Sequence, residues 1–112
     1  MKVQEIIKKL DLKVISGEKG LNKEISGGYV CDLLSDVMGS ADEGQVWITL
    51  QTHKNIMAIA SLKDIAAVIL VKGLNPDDNT IEQSNSENIP ILSTKLQAFE
   101  ISGKLFQLIT KN

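Results

Sequence analysis

Ala67-Val68-Ile69-Leu70-Val71, followed by Lys72-Gly73 and then Asn75-Pro76-Asp77-Asp78, is the stretch on which the fold turns. Five apolar residues in a row offer no polar face to water. Such a run suits a strand covered on both sides, as in a parallel sheet. Lys72-Gly73 ends it. Asn75-Pro76-Asp77-Asp78 then reads as a helix start, with an asparagine cap, proline at the first position and acids near the positive end of the helix dipole. The polar composition of 76–87 predicts an exposed helix.

The same alternation continues outward. Downstream, Ile89-Pro90-Ile91-Leu92 reads as a short last strand, and Thr94 with Gln97 three residues on as a capping box. Leu96, Phe99, Ile101, Leu105, Phe106, Leu108 and Ile109 recur at helical spacing. Upstream, Val46-Trp47-Ile48-Thr49-Leu50 is a β-type run. Thr52 reads as the cap of a helix starting at His53, apolar on most sides through Ile56, Met57, Ile59, Ala60 and Leu62. Tyr29-Val30-Cys31 is a strand candidate. Asp32 follows as a cap, Leu33, Leu34, Val37 and Met38 form a helical face, and Gly39 is its stop. Residues 17–28 read as an irregular excursion with a short strand near Glu24-Ile25. Lys13-Val14-Ile15 is a strand. Val3, Ile6, Ile7 and Leu10 place one apolar face on an N-terminal helix. The order α-β-loop-β-α-β-α-β-α-β-α predicts a three-layer α/β/α domain with a mainly parallel sheet, formed by residues 1–112 as one unit.

Composition narrows the function. Net charge is -2, arginine is absent, and the lysines are scattered among acids along the chain. Nucleic-acid binders normally show a basic stripe and favour arginine for bidentate recognition, so no nucleic-acid partner is expected. No apolar run approaches the roughly 20 residues that span a bilayer, so no membrane role is expected either. Met1 to Leu10 does not resemble a signal peptide, and the expected compartment is the cytoplasm. Cys31 is the single cysteine.

Ligands of open α/β sheets sit beyond the carboxyl ends of the strands. Those ends here offer Thr49, Gln51, Thr52, His53, Lys72, Gly73, Ser93 and Thr94 as ligand-binding candidates. Thr52 and Thr94 also have a plainer reading, as helix caps. For an anion, Thr52 would supply a hydroxyl, His53 a ring N–H and Lys72 a point charge, with binding expected to strengthen as pH falls. A Cys31–His53 nucleophile pair oriented by Asp32 is the sharper alternative, but nothing local marks a nucleophile elbow or an oxyanion site, and free cysteine is commonly a packed residue. One cysteine and one histidine cannot supply a four-ligand zinc site. Gly17-Glu18-Lys19-Gly20 lacks the Gly-Lys-Ser/Thr segment of a phosphate loop. Trp47 in a β run reads as core rather than as a base-stacking platform. No catalytic residue, cofactor or metal is therefore expected.

Glu24-Ile25-Ser26-Gly27-Gly28 stands where DRTGG domains carry the motif that names them, and the two glycines match it literally. Gly44-Gln45-Val46-Trp47-Ile48-Thr49 resembles the family's run into a strand. Residues 67–76 resemble its strand, glycine turn and proline-led helix. Ile89-Pro90-Ile91-Leu92-Ser93-Thr94 and Phe99-Glu100 resemble its last strand and helix. The chain thus resembles the stand-alone DRTGG domains over nearly its whole length, and these are similar to the N-terminal domain of HPr kinase/phosphorylase. Related domains occur in some phosphotransacetylases and between CBS domains of some pyrophosphatases. The resemblance implies a regulatory role, and a nucleotide-type ligand in the pyrophosphatase case. Small members occur near hydrogenase and signalling genes. Here Glu24, Ile25 and Ser26 replace the Asp, Arg and Thr of the motif, so any contact made by that arginine is lost. The kinase chemistry of HPr kinase belongs to a separate domain.

The expected function is a non-enzymatic regulatory or ligand-sensing module for a nucleotide or another anionic metabolite. The alternative is a protein–protein adaptor or assembly subunit with no small ligand. The apolar surplus of the 53–62 helix and the C-terminal helix predicts a two-fold homodimer, the commonest oligomer.

Overall fold

The computed structural model describes residues 1–111. Its elements run α1 (Val3–Lys9), β1 (Lys13–Ser16), a 3-10 turn (Glu18–Gly20), β2 (Gly27–Val30), α2 (Leu34–Ser40), β3 (Gln45–Thr49), α3 (Asn55–Leu62), β4 (Ala67–Leu70), α4 (Asp78–Glu87), β5 (Ile91–Ser93) and α5 (Ala98–Thr110). The order is the one the sequence predicts. The five strands form one sheet in the order β1-β5-β4-β3-β2. β2, β3, β4 and β5 are parallel, and β1 joins β5 antiparallel.

The two faces bury different halves of each strand, as the two-residue period of a strand requires. Val46, Ile48, Ala67 and Ile69 pack with Val3 and Ile6 of α1 and Ile101 and Leu105 of α5. Trp47, Val68 and Leu70 pack with Val37 of α2 and Ile56, Met57 and Ala60 of α3, and α4 lies against α3. Trp47 is fully buried, and its indole N–H donates to the Cys31 carbonyl at 2.8 Å.

Strand order explains the irregular stretch before β2. β1 and β2 lie at opposite edges of the sheet, four strand spacings or about 19 Å apart. Residues 17–26 carry the chain across. Gly17 adopts φ 73°, and a Cβ there would stand 2.4 Å from the Ile89 carbonyl oxygen. A Cβ on Gly20 would stand 2.1 Å from the Asn88 carbonyl oxygen. These two glycines let the crossing chain lie directly on the turn before β5. The predicted strand at Glu24-Ile25 reduces to one isolated bridge between Lys2 and Glu24.

The structure corrects the helix starts. Asp32 does not cap α2. Its carboxylate is drawn to the end of β3, and Leu33 takes the cap position. Gly39 lies inside α2, which runs on to Ser40. α3 begins at Asn55, two residues after His53, with Lys54 at the cap position. Thr52 is held instead by α4: its carbonyl accepts from Asp77 N–H at 3.1 Å and the Thr80 hydroxyl at 2.8 Å. α4 starts after Asp77, so neither Asn75 nor Pro76 holds the predicted position. The last capping box is displaced by three residues, to Gln97 with Glu100, whose carboxylate accepts from Gln97 N–H at 3.4 Å. At Asp32, Thr52 and Thr94 a hydrogen bond to another segment or within a turn engages the residue that local preference would have placed at the cap.

Candidate functional site

The carboxyl end of β3 is closed by its own polar groups. Asp32 Oδ1 accepts from the Thr49 hydroxyl at 2.7 Å and from Leu50 N–H at 2.9 Å. The Gln51 side-chain amide donates to the Asp32 carbonyl at 2.9 Å. Thr49 is buried within this knot. His53 is exposed, in the bend before α3. The N–H groups of Ile56 and Met57, which an anion at this helix start would use, are taken by the carbonyls of His53 and Lys54 at 3.1 and 3.0 Å.

The end of β4 is similarly committed. Lys72 and Gly73 both turn at positive φ, 61° and 67°. Their N–H groups donate to the carbonyls of Leu96 and Thr94, each at 2.8 Å. Thr94 is buried, and its Oγ1 accepts from Leu96 N–H at 3.2 Å. The fold therefore joins Lys72, Gly73 and Thr94 through the backbone, and Thr49 with Gln51 through Asp32. Ser93 and Thr94 face a different feature.

That feature is a groove of about 850 Å³ at the carboxyl end of β5, walled by the α1–β1 connection and by α5. Ser93 and Thr94 line it beside Lys9, Lys13, Lys95, Lys104 and Lys111, with Asp11 as the single carboxylate among the described residues. Leu10, Leu12, Leu96 and Leu108 supply its apolar wall. The lysines are scattered in sequence, and folding gathers five of them. Right-handed connections that step steadily from β2 to β5 keep α2, α3 and α4 on one face. The chain leaves the α1 face on passing through β1 to β2 and returns to it after β5, when it enters α5. Ligand crevices of open α/β sheets form between strands whose connections leave on opposite sides. Here that gap, between the ends of β4 and β5, is closed by the backbone bonds of Lys72 and Gly73. The groove lies on the outer side of β5, between β1 and α5.

Sequence reading names Ser93 and Thr94, which line this groove, but does not name the five lysines around them as binding residues. The one local signal was Lys95 directly after Ser93-Thr94. The others come from α1, the start of β1 and the far half of α5, and become neighbours only once β1 is known to pair with β5.

The Glu24–Gly28 stretch sits at the opposite, amino edge of the sheet. Ser26 Oγ donates to the Glu43 carbonyl at 2.7 Å, and Ser26 N–H to the Gly44 carbonyl at 2.9 Å. Glu24 accepts from the N-terminal ammonium at 3.1 Å. The concavity here is acidic, lined by Glu24, Glu43, Asp64 and Glu87 around Lys23. Burial lowers the Lys23 ammonium below its usual range, and Asp64 and Glu87 oppose that shift. Cys31 is half-buried at the end of β2, its sulfur 3.4 Å from Leu33 N–H.

Comparison with known proteins agrees with this architecture. The chain is 25% identical over 109 residues to the protein YtoI of Bacillus subtilis (strain 168), covering 94% of this chain and 24% of YtoI. It superposes with a TM-score of 0.68 and 18% identity on the regulatory region of Clostridium perfringens pyrophosphatase. That structure contains CBS and DRTGG domains and was determined with the activator diadenosine tetraphosphate. The superposition covers 93% of this chain and 45% of that one, so the chain spans less than half of either relative. The DRTGG domain model matches residues 5–108, and the chain belongs to the DRTGG domain family.

Proposed function

We propose that the chain is a non-enzymatic regulatory module that senses a phosphate-bearing small molecule of nucleotide type in the groove at the end of β5. The observation that carries this reading is the convergence of Lys9, Lys13, Lys95, Lys104 and Lys111 around Ser93 in a chain whose net charge is -2. Lysines act as mobile point charges, suited to a chain of phosphates rather than to one bidentate contact. The Ser93 hydroxyl adds a hydrogen-bonding group, and the leucine wall offers a surface for a base. Diadenosine tetraphosphate, the activator found with the pyrophosphatase regulatory region, belongs to the same polyanionic class. The groove replaces the Thr52–His53–Lys72 edge as the centre of the site, because it gathers five lysines, whereas at that edge the N–H groups of Ile56, Met57, Lys72 and Gly73 are already paired.

Thermal unfolding with AMP, ATP, diadenosine tetraphosphate and pyrophosphate tests this. A ligand at a hundred times its Kd adds about 2.7 kcal/mol to stability. The polyphosphates should raise Tm, the rise should shrink with added salt, and Lys13→Glu with Lys95→Glu should abolish it. No rise with any of these compounds, or an equal rise in the double variant, would contradict the proposal.

A second reading, self-association, is favoured by the exposed phenylalanines of α5, Phe99 and Phe106. In it the domain works as a two-fold pair, which is compatible with ligand sensing.

A further inference from the structure

The two edges of the sheet differ. β1 begins with Lys13 and has a register break between Val14 and Ser16, both of which discourage pairing with another strand. β2, Gly27-Gly28-Tyr29-Val30, has no charge and no proline, and its register on β3 is unbroken. Its outer side is unpaired, and Val30 is 52% exposed. A bare strand of this kind is a template for another.

α5 lies over this edge, in contact with β2 and β3. Phe99 and Phe106 are 85% and 66% exposed there. Phe99, Ser102, Phe106 and Ile109 repeat at three- and four-residue steps, the narrow seam by which one helix packs along another. An apolar groove of about 820 Å³ runs between this seam and β2. On the opposite face of the sheet, α2 and the cap residue before it leave Met38 and Leu33 exposed.

We propose that this side of the molecule is the interface with a second copy of the chain: β2 pairs antiparallel with β2 of the partner, and α5 packs along the partner's α5. This rests on the reading that the domain pairs with itself. A two-fold axis normal to the sheet would run between the two β2 strands, which would lie about 4.8 Å apart. Because α5 straddles β2 and β3, it would lie about 5 Å from that axis. The two α5 helices would then be about 10 Å apart, the spacing of packed helices. The same axis makes them antiparallel, so the small Ser102 would face Phe106 of the partner subunit.

Charge favours a second copy as the occupant. Under two-fold symmetry like meets like, and a charged seam would repel itself. These seam positions carry no charge. The area also suits: one side of a molecule measuring 36 × 27 × 25 Å offers on the order of the 800 Å² per partner that a stable dimer buries.

Sedimentation equilibrium on the full chain tests the interface with lesions on two elements. Wild type should sediment at about twice 12.2 kDa at tens of micromolar. Val30→Lys on the edge and Phe106→Lys on α5 should each give a monomer. Both residues are exposed, so circular dichroism should show the native fold, and if one variant fails to fold the other carries the test. Leu62→Lys, at an apolar residue on α3 that is 67% exposed, should remain dimeric. A wild-type monomer at roughly 100 micromolar would overturn both the pairing and the interface, and would leave this face to a different partner. A dimer that survives both lesions, or breaks with Leu62→Lys instead, would overturn the interface alone.

Discussion

Gly17 and Gly20 frame a segment that resembles a phosphate loop in composition, yet each has a packing role. Alanine at either position would drive its Cβ into the backbone of Ile89 or Asn88, and at Gly17 it would also need a left-handed conformation. Overpacking and backbone strain each cost about 1–3 kcal/mol. Gly17→Ala should therefore lose at least about 2 kcal/mol in urea unfolding, and a loss under about 1 kcal/mol would show that the turn yields easily. Tyr29 gives a pH signature. Its hydroxyl donates to the Asp36 carboxylate, and that bond holds the phenol above its ordinary value of 10.0. The folded state thus favours the neutral ring. The stabilisation is complete below pH 10 and is lost as pH rises through the raised value. Unfolding measured from pH 8 to 11.5 should show wild type losing its advantage over Tyr29→Phe only at the alkaline end. An advantage constant across that range would remove the hydrogen bond as its source.

Elements were legible in the sequence where burial alone defines them. The run from Ala67 to Val71 has no exposed face to confuse its period, and β4 appears where it should. The helix starts were less legible, because a cap is one polar residue and tertiary partners compete for it. Thr52 is the clearest case: its carbonyl ties the β3–α3 connection to the start of α4. A buried chain of hydroxyls joins other elements in the same way. Ser16 Oγ donates to Ser84 Oγ at 2.8 Å, and Ser84 Oγ donates to the Ile89 carbonyl at 2.6 Å, linking β1, α4 and the entry to β5. Ser84→Ala would leave the Ser16 hydroxyl and the Ile89 carbonyl without these partners. Leaving a buried polar group unpaired costs about 1–3 kcal/mol, so the variant should lose stability in that range by urea unfolding. A neutral result would mean that the two groups find other partners. Nothing in the local pattern of the α4 segment announced this role, since its serines and threonines read simply as an exposed polar helix.

At the scale of the molecule, strand order decides where function sits, and strand order is what one sequence conceals most. Placing β1 beside β5 gathers lysines from both ends of the chain at one edge, while β2 is left bare at the other. The proposed ligand groove and pairing surface therefore occupy different ends of the sheet, bridged by α5. The central claim is that an anion binds at the β5 end. Two-dimensional amide NMR of the labelled chain, titrated with diadenosine tetraphosphate at low salt, tests it most directly. Anion binding in the groove should give progressive shifts concentrated in residues 9–13, 93–96 and 104–111. Shifts centred instead on 52–53 and 72–73 or on 24–28, or none at millimolar ligand, would contradict it.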